Sequence, residues 1–250
     1  MQISIVTVTW NSAKTIEETL QSLYSQSLFK KGGVEHIVID GGSTDATLNI
    51  LRQYSKNIAL LVSEPDNGLY DAMNKGIALS SGSVIGILNS DDLYYDSNVL
   101  EWVLDSFKKE DVDLVYADLE YFSNFRANKI VRKYRSNQFS PARLSYGLMP
   151  AHPTVFAKKT IYERFGAFDS SFKIAGDFDW VARIFKSQQI SYYYSSKILV
   201  RMRAGGISNN KIKNLNLKNI EILRACKKNN IHTNYLKICT RFFFKILDFF

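Results

Sequence analysis

Cysteine and histidine are scarce in this sequence, which has 250 residues and contains two cysteines and three histidines. Cys226 and Cys239 have neither the spacing of a zinc site nor the density of a disulfide scaffold. We expect them to be small apolar residues of a protein in a reducing compartment. The histidines show no metal-ligand spacing either, so the composition argues against a zinc protein and a disulfide-stapled secreted domain.

The sequence also lacks a basic leader, a low-complexity linker and an internal repeat. The apolar run in residues 1–9 is too short for a signal peptide or a membrane span and predicts a first strand. With 46% hydrophobic residues, the chain can bury one substantial core. We expect one catalytic domain over residues 1–206, a basic helical extension over residues 207–250, and a cytoplasmic location.

The net charge is +8, but positive charge is unevenly distributed. Residues 211–250 contain nine Lys or Arg and two Asp or Glu, so the rest of the chain is nearly neutral. A basic tail on a nearly neutral body argues against nucleic acid as the partner.

Strand and helix patterns alternate through the first half. Strands are predicted at 3–9, 35–39, 58–62 and 84–88, with helices after Asn11-Ser12, at 44–54 and at 67–80. This alternation predicts an α/β fold in which helices flank a mainly parallel central sheet. In the less regular second half, strands are predicted at 114–121, 129–134 and 191–202, and a helix at about 178–186.

Ligands of parallel sheets bind at the carboxyl ends of the strands. Polar residues follow the four predicted strands there, in the segments Thr9-Trp10-Asn11, Asp40-Gly41-Gly42-Ser43, Glu64-Pro65-Asp66-Asn67-Gly68 and Asn89-Ser90-Asp91-Asp92. The adjacent carboxylates Asp91 and Asp92 repel each other unless a cation or several donors neutralise them, and Mg²⁺ or Mn²⁺ fits such oxygen ligands. The alternative is a cap for the helix that starts near Ser97.

Candidate site residues lie at four places along the chain besides the acidic pair. Asp40, at a strand tip, can accept hydrogen bonds from a nucleobase, although a turn with a helix cap explains it as well. The segment 66–76 opens a helix whose N–H groups, with Lys75, can face a phosphate. Asp177 is a candidate general base, with a helix-dipole role for Asp177 or Asp179 as the alternative. His152 lies in a loop whose composition suggests a pocket, and the alternative is a structural histidine.

Taken together, these motifs resemble, in order and spacing, family 2 glycosyltransferases with the Rossmann-like GT-A fold. The resemblance rests on Val8-Thr9-Trp10-Asn11, Asp40-Gly41-Gly42-Ser43-Thr44-Asp45, Asp66-Asn67-Gly68, Asn74-Lys75-Gly76, Asn89-Ser90-Asp91-Asp92 and Asp177-Phe178-Asp179, and covers about residues 1–205. The sequence resembles in particular the bacterial branch that builds exopolysaccharide, O-antigen or capsule repeat units. The Q-x-x-R-W motif and the transmembrane helices of processive synthases are missing, which favours a single-addition transferase.

The resemblance implies a role for each motif. A nucleotide-sugar-binding set is implied at Thr9, Trp10, Asn11, Asp40, Ser43, Asp71, Lys75, Asn89, Asp91, His152 and Arg203. The implied metal ligands are Asp92 and Asp91, with Mg²⁺ or Mn²⁺ as cofactor, and Asp177 is the implied catalytic base. Gly176 replaces the Glu that usually precedes this Asp, and Arg201 to Ser208 is similar to the family's closing loop.

The implied reaction is inverting transfer of one sugar from a nucleoside-diphosphate sugar, most commonly a UDP-hexose, to a hydroxyl of a saccharide or lipid-linked saccharide. A nucleotidyltransferase is one alternative, although the expected early Gly-rich loop is absent from 9–13. A non-catalytic saccharide-binding or scaffold protein on the same fold is the other.

The segment 234–250 is aromatic and basic. Lys237, Arg241 and Lys245 recur at four-residue steps, which predicts one cationic helix face opposite an aromatic face. Such a helix suits the surface of an anionic membrane, and a helix docked on the domain or on a partner chain is the alternative. We therefore expect a peripheral association with the inner face of the cell membrane.

Overall fold

A computed structural model describes residues 2–123, 129–204 and 212–241 of the chain. The strands are β1 Ile3–Thr9, β2 Val34–Asp40, β3 Leu60–Ser63, β4 Val84–Ile87, β5 Leu93–Tyr94, β6 Leu114–Phe122, β7 Ile130–Tyr134, β8 Phe156–Lys158 and β9 Tyr192–Arg203. The helices are α1 Ile16–Tyr24, α2 Ser27–Lys30, α3 Thr47–Gln53, α4 Leu69–Leu79, α5 Val99–Glu110, α6 Lys159–Phe165, α7 Gly176–Lys186, α8 Ile212–Lys228 and α9 Tyr235–Cys239.

The strands form one sheet in the order β3-β2-β1-β4-β8-β6-β9-β5, and β7 pairs with β6. The first four strands are parallel to one another, because a helix or a longer connection returns the chain to the same edge each time. The predicted α/β fold with helices on both faces is confirmed. The strands β5 and β8 were not predicted, since two and three residues are too few to show a periodic pattern.

Alternation along β1 supplies both faces of the core. Val6 and Val8 point into a cluster with residues of α4, α7 and α8, whereas Ile3 and Ile5 point into a second cluster with α5. Gly76 lets α4 approach the sheet closely, because a Cβ there would lie 2.2 Å from Cγ1 of Val6.

The helices α8 and α9 pack against this body. Ile222, Cys226 and Ile238 are buried in the cluster that contains α4 and α7, and Cys226 is thus the apolar core residue that its sequence context suggests. Arg241 is also buried, and its guanidinium donates to Oδ1 of Asn219 at 2.6 Å.

The burial of Arg241 corrects the prediction that the cations of segment 234–250 share one exposed face. Lys237 instead lies over the ring of Tyr146, 4.4 Å from its centroid. The residues 242–250, including Lys245, lie outside the described part of the chain. Within residues 2–123, 129–204 and 212–241, no helix has the length and apolar character needed to cross a bilayer.

Candidate active site at the carboxyl edge of the sheet

The carboxyl ends of β1 and β2 lie side by side, with Thr9 paired to Asp40. Asn11, which adopts a left-handed backbone conformation with φ of 49°, joins the two following loops. Its backbone N–H donates to Oγ of Ser43 at 2.8 Å, and its Oδ1 accepts from the backbone N–H of Thr44 at 2.8 Å. Asn11 and Ser43 therefore fix the shape of this edge.

Asp40 is completely buried. Its Oδ2 accepts from the N–H of Ser43 at 3.0 Å and from Oγ of Ser63 at 2.7 Å, and Oγ of Ser43 donates to Oδ1. The contact predicted between Asp40 and a nucleobase would have to displace one of these donors. In this conformation Asp40 holds together the ends of β2 and β3.

Thr9 and Trp10 present different surfaces at the same edge. The Oγ1 atom of Thr9 is buried and lacks a hydrogen-bond partner among the described residues, whereas the Trp10 side chain is 65% exposed. Gly41 gives the Asp66 carboxylate room near Trp10, because a Cβ there would lie 2.4 Å from Oδ2 of Asp66 and 3.5 Å from Cδ1 of Trp10. An exposed indole beside an unpaired hydroxyl can stack on and hydrogen-bond a planar ligand.

The acidic pair follows β4 at this edge. Asp92 is fully buried, its Oδ2 accepts from Nδ2 of Asn89 at 3.1 Å, and its Oδ1 has no partner among the described residues. Burial, followed by the charge of Asp91, raises the pKa of Asp92 well above its ordinary value. Burial also raises the pKa of the half-buried Asp91. The helix-cap alternative is wrong, since α5 begins only at Val99, after Asn98.

Arg203 reaches the acidic pair through a strand pairing that the sequence did not predict. The antiparallel register of β5 and β9 aligns Leu93 with Arg201, and two further steps bring Arg203 beside Asp91. Its positive charge lowers the pKa of both Asp91 and Asp92, opposing the effect of burial. The Arg203 guanidinium also pairs with Glu18 at 2.7 Å. Arg203, predicted as a nucleotide-sugar-binding residue of the closing loop, thus lies beside the acidic pair.

A divalent cation fits this chemistry. The unpaired oxygens Oδ1 of Asp92 and Oδ1 of Asn89 are buried acceptors, and Asp91 adds a carboxylate. Within the part of the chain that the structure describes, no three His, Cys, Asp or Glu residues cluster as a metal site. Mg²⁺ is commonly held by only one or two carboxylates together with substrate phosphates, so two carboxylates suffice for a site completed by a ligand.

Two predicted phosphate-side residues have other contacts. Lys75 lies 2.8 Å from Oε1 of Glu64 and 3.7 Å from Oδ2 of Asp71, so in this conformation its charge is paired with carboxylates, whereas the predicted partner is a phosphate. Asp71 accepts from the backbone N–H of Asn67 at 3.0 Å and thereby stabilises the start of α4. Both residues shape the loop between β3 and α4.

The two carboxylates of α7 have clearly different surroundings. Asp179 is fully buried and accepts from Asn229 at 2.9 Å, from Lys228 at 3.1 Å and from Arg183 at 3.2 Å. Asp177 is half-buried, and its Oδ2 has no hydrogen-bond partner among the described residues. Asp179 therefore joins α7 to α8, and Asp177 is the carboxylate that can accept a proton.

Asp177 lies among groups that the sequence patterns did not single out. Tyr70 of α4 places its hydroxyl 3.3 Å from Oδ1 of Asp177, and the charge of Asp177 acts on His152 and on Lys218 of α8. Burial lowers the pKa of His152 and of Lys218, and the carboxylate opposes this. Tyr70 lies inside the helix-opening motif and was therefore within reach of sequence reasoning, whereas no pattern marks Lys218.

Glu221 of α8 positions the segment before Asp177. This buried carboxylate accepts from the backbone N–H groups of Lys173, Ile174 and Ala175 at 2.8, 2.8 and 2.9 Å. The helix α8 therefore helps to build the Asp177 side of the site, although its residues follow the motifs by about 40 positions.

The family model described as Glycosyl transferase family 2 matches residues 4–165. A protein named PGL/p-HBAD biosynthesis glycosyltransferase from Mycobacterium tuberculosis (strain ATCC 25177 / H37Ra) is 29% identical over 212 residues. The matched region covers 82% of this chain and 78% of that relative.

Two solved structures have a similar fold. The structure of S. aureus TarS 1–349 in complex with UDP-GlcNAc has a TM-score of 0.67 and 21% identity, and the match covers 89% of this chain and 67% of that one. The mannosyltransferase PcManGT from Pyrobaculum calidifontis, in complex with GDP-Man and Mn²⁺, has a TM-score of 0.67 and 18% identity over 89% of this chain and 64% of that one. Another structure of S. aureus TarS contains a longer chain, and the match covers 44% of it.

Proposed function

Because the chain belongs to glycosyl transferase family 2, and is therefore a nucleotide-sugar glycosyltransferase, we propose that it transfers one sugar with inversion to a hydroxyl of a saccharide or lipid-linked saccharide. Family membership sets aside the nucleotidyltransferase and non-catalytic alternatives. The observation that supports this reaction is a set of unpaired acidic oxygens at two points of the site: Oδ1 of Asp92 beside Asp91, and Oδ2 of Asp177.

The donor side of the proposal uses the edge formed by β1, β2 and β4. Trp10 and Thr9 would contact the base and ribose, with Asn11, Asp40 and Ser43 holding the loops in shape. A UDP-hexose is the proposed donor, because UDP-GlcNAc is bound in TarS, one of the structures that share the fold. Asp91, Asp92 and Asn89 would face the diphosphate.

Mg²⁺ or Mn²⁺ is the proposed cofactor, held by Asp92 and Asp91 and completed by the donor diphosphate. The unpaired buried oxygen of Asp92 supports this assignment, as does the Mn²⁺ in the PcManGT complex. Lewis-acid stabilisation of the diphosphate leaving group is the chemistry that such an ion supplies when bound.

On the acceptor side, Asp177 would take the proton from the attacking hydroxyl at Oδ2. The bond from the acceptor oxygen to the anomeric carbon forms as the bond from that carbon to the phosphate oxygen breaks. Arg203, beside Asp91, would attract the departing nucleoside diphosphate. We further propose that the product is a repeat unit of a bacterial surface polysaccharide, assembled at the inner face of the membrane.

The test is release of nucleoside diphosphate from UDP-GlcNAc, UDP-glucose, UDP-galactose, GDP-mannose and dTDP-glucose, with Mn²⁺, with Mg²⁺ or with EDTA. We expect metal-dependent release from one of these donors. Replacing Asp177 by Asn should lower the rate at least about 100-fold and leave donor binding by calorimetry within about twofold.

The control is Asp105→Asn on the exposed face of α5, which should leave the rate unchanged. Near wild-type turnover by the Asp177→Asn variant would show that Asp177 is not the base. Absence of release from every donor with either metal would overturn the proposed reaction.

A further inference from the structure

Tyr70 and Gly176 fit together at the contact between α4 and α7. The Tyr70 side chain is 3% exposed, and a Cβ built on Gly176 would lie 2.7, 2.8 and 2.9 Å from three atoms of its ring. Real Cβ atoms do not approach other heavy atoms so closely. Because residue 176 has no side chain, the Tyr70 ring can occupy this space.

The Tyr70 ring places its hydroxyl close to Asp177, the proposed base. The single proton of the Tyr70 hydroxyl is shared between two acceptors, the carbonyl oxygen of Ile174 at 2.8 Å and Oδ1 of Asp177 at 3.3 Å. The same Oδ1 accepts from the backbone N–H of Phe178 at 2.8 Å. Two donors thus face one carboxylate oxygen, while Oδ2 has no partner among the described residues.

We infer that Tyr70 is a positioning residue for Asp177: its hydroxyl, admitted by Gly176, holds Oδ1 inward so that Oδ2 faces the acceptor hydroxyl. This inference rests on the proposed role of Asp177 as base. It also explains why Gly stands where the family resemblance leads one to expect Glu, because a larger residue would collide with the ring.

Tyr70 is suited to donate a hydrogen bond and not to exchange the proton itself. Burial, followed by the charge of Asp177, raises the pKa of its hydroxyl well above the ordinary value. The hydroxyl therefore stays protonated near neutral pH and remains a donor. The other titratable groups that face Asp177 are His152, in the turn before β8, and Lys218, on α8.

The position of Tyr70 also connects the two substrate sides. The helix α4 begins at Leu69, directly after the loop that follows β3, so Tyr70 lies in its first turn. Four residues after Tyr70, Asn74 exchanges two hydrogen bonds with the backbone of Phe168, at 2.8 and 2.9 Å. These contacts hold α4 firmly against the segment that precedes the base.

Tyr70→Phe removes the hydroxyl and keeps the ring. With the donor that the wild type turns over fastest, we expect kcat for nucleoside diphosphate release to fall about 10-fold or more and KM for the donor to change less than about twofold. The pH profile of the rate should also differ from that of the wild type, because the carboxylate has lost one of its donors. The matched control is Tyr162→Phe, a buried tyrosine of the same core whose hydroxyl has no hydrogen bond within the described residues.

Gly176→Ala tests the steric half of the inference. It should lower kcat in the native background by displacing the ring, and should lower it much less in the Tyr70→Phe background, where the hydroxyl contact is already gone. Additive losses in kcat from these two changes would contradict the inference.

The inference is overturned if Asp177→Asn is inactive while Tyr70→Phe keeps the wild-type kcat and pH profile. If Asp177→Asn remains active, or if the wild type releases no nucleoside diphosphate from any of the five donors, the proposed function fails instead, and the role of Tyr70 falls with it.

Discussion

At the scale of single residues, the partners of buried polar atoms separate structural roles from chemical ones. Asp40 and Asp179 have the types and positions expected of site residues, yet their carboxylates are satisfied by internal donors. Asp92 and Asp177 each keep one oxygen without a partner among the described residues. Of these two oxygens, Oδ1 of Asp92 is buried; an unpaired buried acceptor destabilises the fold, and a bound ligand would explain why this one is kept.

Asp92→Asn should stabilise the metal-free protein. The pKa of Asp92 is raised in the folded state. Below about pH 4, the pKa of the unfolded state, the carboxyl is protonated in both states and costs no stability. As pH rises above that value, the buried carboxyl increasingly destabilises the folded state. At pH 7.5 in EDTA we expect Tm to rise by roughly 3 °C, measured by thermal denaturation.

The same variant should lose the response to ligand. Addition of Mn²⁺ and UDP should raise the Tm of the wild type and of Asp105→Asn, but not that of Asp92→Asn. An unchanged Tm in EDTA, or a full response to Mn²⁺ and UDP, would count against Asp92 as a buried ligand.

At the scale of elements, α8 supports the proposed base although it lies outside every recognised motif. Glu221, near the middle of α8, satisfies three successive backbone N–H groups just before α7, and Asp179 of α7 accepts from Lys228 and Asn229 at the C-terminal end of α8. The segment carrying Asp177 is therefore held in place at two points of a neighbouring helix.

Glu221→Gln should lower both the stability of the protein and its catalytic rate. A neutral amide retains only one carbonyl oxygen for three donors, so we expect a loss of about 2–3 kcal/mol in the free energy of unfolding, measured in urea. The kcat for nucleoside diphosphate release should fall more than the affinity for donor. Glu163→Gln, on the exposed surface of α6, is the control and should change stability by less than about 0.5 kcal/mol. Equal stability of the two variants would contradict this role of Glu221.

At the scale of the whole molecule, the C-terminal segment divides at about Arg241. Ile222, Cys226, Ile238 and Arg241 are buried, so α8 and α9 pack as part of the folded body. We place the predicted membrane contact of residues 234–250 in the part beyond Arg241, which contains Phe242, Phe243 and Phe244, although Leu236 is also 78% exposed. The domain boundary at 206 and the membrane contact stay predictions.

Two truncations separate these contributions. A chain that ends at Arg241 should keep the wild-type Tm but lose flotation with vesicles that contain anionic lipid, if residues 242–250 bind the membrane surface. A chain that ends at Gly206 should unfold at a markedly lower temperature or fail to fold, because it exposes the core beneath α8. Equal flotation of the full chain and the chain ending at Arg241 would refute the membrane contact.

Local sequence patterns predicted the elements and the edge at which the site lies. The parallel strands β1 to β4, the polar residues at their carboxyl ends and the family followed from periodicity and from motifs a few residues long. These signals are local, because the side-chain period of a strand or helix and the capping of its ends depend on near neighbours in the chain. The start of α3 was misjudged, since the side chain of Asp45 accepts from the N–H of Thr47 and delays the helix.

Only the tertiary structure decided which contacts form between residues that are far apart in the sequence. The β5–β9 register brings Arg203 to Asp91, Glu64 neutralises Lys75, and Tyr70 fills the space left by Gly176, 106 positions along the chain. The free energy of each contact depends on packing and on desolvation, neither of which any single segment encodes. The sequence therefore determined which residues were candidates, and the fold decided which of their atoms remained available for chemistry.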